Sequence, residues 1–221
     1  MRGSGHLRAK ICGITDKPAL AAAIKGDAAY IGFVFFGKSP RNIDTTAAAV
    51  LSTEVPAGIC KVALTVDIGD AALDSILSSV GIDMLQLHGS ETPARVSQIK
   101  TRTGLPVMKA IGLSGEFDLR AISDYASVAD QLLIDAKAPT GATIPGGNGI
   151  AFDWRLIAGR RWPVPWMLAG GLTSKNVAEA ARLTGARQVD VSSGVECAPG
   201  VKSPERITEF LAACRNEVPA L

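Results

Sequence analysis

The amino-acid sequence predicts a single (β/α)8 barrel, the TIM-barrel class, on three observations. Eight short apolar runs recur along the chain, each followed by a polar turn and then by a longer helical pattern. The 221 residues shared among eight units leave about 28 for each, enough for a strand, a helix and two short loops. No G-x-G-x-x-G follows an early strand, as an open doubly wound sheet with a dinucleotide site would carry.

The strand runs are, in order, ICGI near 11–14, AYIGFVF near 29–35, KVALTV at 61–66, MLQLH at 84–88, PVMKAIG from 106, QLLIDA from 131, PWMLAG from 165 and QVDVSS from 188. Their β-branched and apolar content suits strands buried on both faces. Helical patterning occupies 17–25, 45–51, 71–80, 92–103, 117–125, 154–159, 175–183 and 204–214. Asp16, Asp44 or Thr45, Asp70, Asp153, Ser174 and Ser203 stand where N-caps belong, and several of these stretches stop at glycine. Residues 1–9 read as a leader or disordered tail, with the barrel from 10 to 221.

Composition narrows the function. A formal net charge of +2 arises from mixed acids and bases without a basic stripe, which argues against nucleic acid as a partner. Cys12, Cys60, Cys197 and Cys214 have no Cys-x-x-Cys spacing, and His6 and His88 are the only histidines, so no metal site is expected. Sparse cysteines suggest a reducing, cytoplasmic setting. No signal-peptide core or membrane-length apolar run is present.

One motif misleads. GFVFFGKS at 32–39 satisfies the phosphate-loop pattern of a glycine, four residues and Gly-Lys-Ser. The four intervening residues are Phe33, Val34, Phe35 and Phe36, which continue an apolar strand, and Pro40 keeps Ser39 from opening a helix. The stretch reads instead as a strand ending near Gly37, then a polar loop that carries Lys38 and Arg41.

In a barrel of this class the chemistry sits where strands end at their C-terminal sides. Those positions hold a polar ring that includes Cys12, Arg41, Gln86 with His88, Asp135, Gly171, and Asp190 with Ser192 and Ser193. Gly170-Gly171 after the seventh strand and Ser192-Ser193-Gly194 after the eighth occupy the places where barrels build phosphate cradles from backbone N–H groups. Cys12 is either a small buried hydrophobe or, at the rim, a thiolate base if cations depress its pKa. Asp135 is either a structural carboxylate or an acid able to donate a proton. Arg41 offers a planar fork to a substrate carboxylate. His88 fits a hydrogen-bonded wall better than a base while Cys12 is at hand. No G-x-S-x-G elbow supports a hydrolase. Gly146-Gly147-Asn148-Gly149 belongs either to a lid or to a loose connection.

Six of these segments, KICGIT at 10–15, GFVFFGKSPR at 32–41, LQLHG at 85–89, LIDAK at 133–137, LAGGL at 168–172 and VDVSSGVE at 189–196, resemble in order those of the phosphoribosylanthranilate isomerases of tryptophan biosynthesis. The resemblance implies a cofactor-free Amadori rearrangement of a phosphorylated small molecule, with Cys12 as general base and Asp135 as general acid. It also implies Arg41 on the anthranilate carboxylate, and Gly171, Ser192, Ser193 and Gly194 at the phosphate. Gln86, His88 and Asp190 complete the expected binding site, and association with neighbouring tryptophan-pathway enzymes is a further implication. The chain departs from the family pattern in a long loop after the sixth strand, KAPTGATIPGGNGIAFDW, and in TVDIGD where many members have a Val-Asn ending.

Two rivals share the phosphate cradle. A histidine-pathway phosphoribosyl isomerase barrel would be expected to use two aspartates, one at the end of the first strand, where this chain has Cys12. A noncatalytic sugar-phosphate-binding barrel would have no need of Cys12 and Asp135 together.

Overall fold

A computed structural model of the chain describes residues 6–137, 144–147, 149 and 151–216. Eight parallel strands close into a barrel in chain order. They are β1 (Arg8–Cys12), β2 (Tyr30–Phe35), β3 (Cys60–Thr65), β4 (Met84–Leu87), β5 (Val107–Leu113), β6 (Gln131–Ala136), β7 (Trp166–Leu168) and β8 (Gln188–Val191). Closure sets β1 against β8, with Arg8 opposite Gln188 and Ile11 opposite Val191.

Around the ring lie α1 (Lys17–Lys25), α2 (Thr45–Thr53), α3 (Asp70–Ser79), α4 (Pro93–Thr103), α5 (Arg120–Ala126), α6 (Val177–Thr184) and α7 (Pro204–Asn216). A hairpin of β9 (Glu196–Ala198) and β10 (Val201–Lys202) stands between β8 and α7.

Strand alternation separates two cores. On β6, Leu132 and Ile134 join the large cluster under the helices, whereas Leu133 packs with Met108 and Met167 in a second cluster. Asp135, two residues beyond Leu133, therefore shares the inward face and ends at the rim. The same alternation on β2 puts Phe33 under the helices and Val34 in a third cluster with Cys12 and Leu64. The four residues between the glycines of the false phosphate loop are thus strand and strand end. Lys38 and Ser39 open no helix: Ser39 N–H closes a turn onto Phe36 O at 2.8 Å.

The barrel begins earlier than residue 10. Arg8 and Ala9 are paired residues of β1, Leu7 is buried, and its N–H bonds Cys214 O at 3.2 Å. The His6 ring reaches Arg215 O at 2.8 Å. These bonds dock the segment on α7, so residues 6–9 are not a tail, and the rest of the expected leader lies outside the described residues.

Asp16 and Asp44 cap α1 and α2 through Ala19 N and Ala47 N, each at 2.8 Å. Asp70 is no cap; it is the first residue of α3, and its carboxylate binds Arg95 Nη2 at 2.6 Å. Where 154–159 suggested a helix, there is a 3-10 turn (Trp154–Ile157) capped by Asp153. The stacked rings of Trp162 and Trp166, 4.2 Å apart, follow that turn. Neither Ser174 nor Lys175 opens α6. Asn176 turns its side chain back, accepting from Thr173 N at 2.8 Å and donating to Gly171 O at 3.0 Å. The helix is delayed to Val177 and the glycine loop before it is tied down.

Candidate active site at the C-terminal rim

An open cavity of about 770 Å³ occupies the C-terminal end of the barrel, and Cys12, Arg41, His88, Asp135, Gly171 and Ser193 all line it. Asp190, Ser192 and Gly194 line it as well. Gln86 does not. It is fully buried and donates from Nε2 to His88 Nδ1 across 2.9 Å. Its reach to the cavity is through the imidazole.

Cys12 stands at the end of β1 above Lys10, which has no exposed surface and pairs with Asp190 across 2.9 Å. A Cβ at Gly32 would fall 3.1 Å from both the Cys12 Sγ and the Lys10 Cε, so glycine on the neighbouring strand makes room for this cluster. Burial is the largest influence on the thiol and pushes it above the ordinary cysteine range; Lys10 and Lys202 pull the other way, and Asp190 adds to the rise. Burial would tend to discharge Lys10, yet Asp190 and the Cys12 sulfur outweigh it and hold the ammonium above the usual lysine range. Cys12 thus sits enclosed beside a fixed cation.

Asp135 is buried at the end of β6. Its Oδ1 accepts from Ala136 N at 2.8 Å, and its Oδ2 lies 3.4 Å from His88 Nε2. With Gln86 on its Nδ1 side, the imidazole turns Nε2 toward Asp135. His88 is a wall residue, as expected, and one that touches the carboxylate.

Part of the long loop after β6 folds over this pair. A Cβ on Gly146 would sit 2.4 Å from His88 Nε2 and 2.8 Å from Asp135 Oδ2, and one on Gly147, at φ +73°, 2.7 Å from Arg41 Nη1. A methyl at either position would have to displace these side-chain ends. Residues 144–147 therefore cover the site, which favours the lid reading over the loose connection for that portion. Asn148 and residues 138–143 lie outside the described residues.

Gly171, at φ +62°, belongs to the loop after β7, and Gly194 to the loop after β8. A Cβ on Gly194 would fall 1.9 Å from Leu172 O, so only glycine permits the contact between these loops. Ser193 opens a 3-10 turn (Ser193–Val195). Ser192 has another commitment: its Oγ donates to Cys12 O at 3.2 Å and accepts from Lys202 Nζ at 3.2 Å.

Arg41 is buried, and part of its fork is already occupied. Nε and Nη2 reach the two carboxylate oxygens of Glu196 at 2.7 and 2.9 Å. Lys202 Nζ binds the same carboxylate at 2.7 Å. Burial raises Glu196, but the Arg41 and Lys202 contacts outweigh it and hold the carboxyl below its usual range. For Lys202 burial prevails and lowers the ammonium, against the pull of Glu196.

Lys10, Glu196 and Lys202 were not among the site residues expected from the sequence. The available signals were a lysine inside the apolar run that begins β1, and opposite charges flanking the Pro199-Gly200 turn. Among the described residues no group of three or more His, Cys, Asp or Glu side chains is arranged to hold a metal, and no helix is long and apolar enough to cross a membrane.

Residues 9–213 match the family model of N-(5'phosphoribosyl)anthranilate (PRA) isomerase. The chain is 61% identical over 203 residues to the N-(5'-phosphoribosyl)anthranilate isomerase of Paracoccus denitrificans, across 92% of this chain and 94% of that one. The crystal structure of phosphoribosyl anthranilate isomerase from Thermotoga maritima is similar with a TM-score of 0.86 at 34% identity, covering 96% of this chain and 100% of that one. A phosphoribosyl anthranilate isomerase in complex with reduced 1-(o-carboxyphenylamino)-1-deoxyribulose 5-phosphate is similar with a TM-score of 0.83 at 32% identity, again over 96% and 100%. With a barrel closed in the same way and nearly its whole length matched, this chain belongs to the N-(5'-phosphoribosyl)anthranilate isomerase family.

Proposed function

We propose that this barrel converts N-(5-phosphoribosyl)anthranilate into 1-(2-carboxyphenylamino)-1-deoxyribulose 5-phosphate in tryptophan biosynthesis, with Cys12 as general base and Asp135 as general acid. The observation that carries the reading is the meeting of a thiol on β1 and a carboxyl on β6 in one cavity. An acid and a base on different walls can serve two atoms of one bound sugar.

In this reading the protonated Asp135 donates to the ribose ring oxygen. The C1–O bond breaks and the amine lone pair closes an iminium at C1. Cys12, having released its thiol proton to solvent through the open cavity, takes the C2 proton as the thiolate, giving an enolamine. Protonation at C1 and loss of the C2 hydroxyl proton yield the ketone. Burial disfavours the thiolate, whereas the iminium places a positive charge where that anion must form. Lys10 supplies a second, permanent one.

Backbone N–H groups around Gly171 and Gly194, with the Ser193 hydroxyl, would take the phosphate. Arg41 would take the anthranilate carboxylate, and His88 and Asp190 would line the sugar; Gln86 and Ser192 support them from behind. The catalytic unit is the single barrel. The same reading puts the chain in the cytoplasm beside other enzymes of its pathway, supported by four unpaired cysteines.

The test is to offer the purified chain phosphoribosylanthranilate and, separately, the phosphoribosyl substrate of the histidine-pathway isomerase. Turnover of the first alone is expected. Turnover of the second alone, or of neither, would overturn the assignment.

A further inference from the structure

The hairpin β9–β10 has no part in the barrel wall, yet it supplies both Glu196 and Lys202. Its turn is pressed onto the loop that carries Arg41: at Gly200, with φ +81°, a Cβ would fall 2.3 Å from Pro40 O. Gly200 N–H also bonds Glu196 Oε2 at 3.2 Å, so the turn holds the carboxylate as well as the loop.

An arginine can present two edges to a carboxylate, the side edge of Nε with Nη2 and the terminal edge of Nη1 with Nη2. Glu196 takes the side edge with both oxygens. Nη1 is the nitrogen turned to Gly147 under the covering loop, and Arg41 lines the cavity.

We propose that Glu196 is the positioning residue that sets the preference for a carboxylated aromatic amine: it clamps the side edge of Arg41 so that only the terminal edge meets the substrate carboxylate. The inference rests on the proposed reaction. Lys202 makes the clamp durable. Its ammonium is tied to Glu196, to Ser192 O at 2.9 Å and to Ser192 Oγ at 3.2 Å, so Glu196 is gripped from two sides. An arginine without this clamp would spread over several rotamers, and the substrate would bear the entropic cost of ordering it.

The experiment compares two substrates formed by condensing ribose 5-phosphate with anthranilate or with aniline, which lacks the carboxylate. For each variant the reading is the ratio of kcat/KM for the first to that for the second, which cancels their different intrinsic reactivity. Glu196→Gln is expected to lower the ratio about 10- to 100-fold, the scale of one or two charge-assisted hydrogen bonds. The loss should appear in KM for the anthranilate compound, with a much smaller loss on the aniline compound. Should Glu196→Gln fail to fold, Glu196→Asp, one methylene too short to span both nitrogens, is read by the same ratio. An unchanged or increased ratio, or an equal loss on both substrates, would overturn the proposal. Wild type that turns over neither compound would overturn the isomerase assignment instead.

Discussion

Lys10 Nζ and Asp190 Oδ1 lie 2.9 Å apart on neighbouring strands, with the lysine fully enclosed, directly beneath the thiol of Cys12. Removing one partner strands a buried charge, so Lys10→Met should destabilise the fold by about 3–5 kcal/mol, read as a fall in the urea midpoint. The double variant Lys10→Met/Asp190→Leu should regain most of that stability. A single variant as stable as wild type would show that the pair is not a buried ion pair in solution.

The same pair bears on Cys12 titration. Burial holds the thiol above its usual range, and alkylation proceeds through the thiolate. Labelling of Cys12 by iodoacetamide, followed on its peptide by mass spectrometry, should accelerate about tenfold per pH unit up to and beyond pH 9. Occupying the cavity with product should block it. A rate that levels off near neutrality would mean the resting base is already a thiolate.

Two glycines should prove irreplaceable for different reasons. Gly146→Ala would drive a methyl toward His88 Nε2 and Asp135 Oδ2 and should lower kcat/KM by about 10²-fold, the scale of a misplacement near 1 Å. Gly194→Ala collides with Leu172 O, so the loops after β7 and β8 must part. It should cost about 1–3 kcal/mol of stability and raise KM, whereas a KM equal to that of wild type would remove these loops from phosphate binding.

Alkaline stability follows from one buried and one half-buried thiol. Burial pushes Cys214 up to about 12 and Cys60 up to about 11. Above the unfolded thiol value near 9 the unfolded chain gives up protons that the folded chain keeps, so stability is fully present below that pH and declines as pH rises toward the folded values. Cys214 contributes up to about 1.4 kcal/mol per pH unit in that window, and the half-buried Cys60 less, because solvent screens it. Urea midpoints from pH 8 to 11 should fall for wild type and fall less steeply for Cys214→Ala.

Much of this molecule was legible in its sequence because strand interiors and helix faces repeat a pattern. The second to eighth strands and the first helix lie where apolar runs and capping residues put them, whereas β1 starts at Arg8, ahead of its apolar run. Legibility failed where a side chain answers to a distant partner. Asp70 resembles a cap but serves Arg95, and Asn176 delays α6 because its amide is wanted by the glycine loop. At the rim, Cys12, Asp135, Arg41 and the glycines could be named from their places after strands. Lys10, Glu196 and Lys202 could not, because each matters through a contact that spans the chain or a hairpin: Glu196 is 155 residues from the arginine it holds, and no local spacing encodes that.

The central claim is that Cys12 removes the C2 proton while Asp135 opens the ring. Its most direct test is the single-turnover decay of phosphoribosylanthranilate fluorescence with enzyme in excess, for wild type, Cys12→Ser and Asp135→Asn. Each variant should fold, retain substrate and lose about 10²- to 10⁴-fold in rate, the range of general acid–base catalysis. A Cys12→Ser rate within about tenfold of wild type, below that range, would contradict the account and assign the proton to another base.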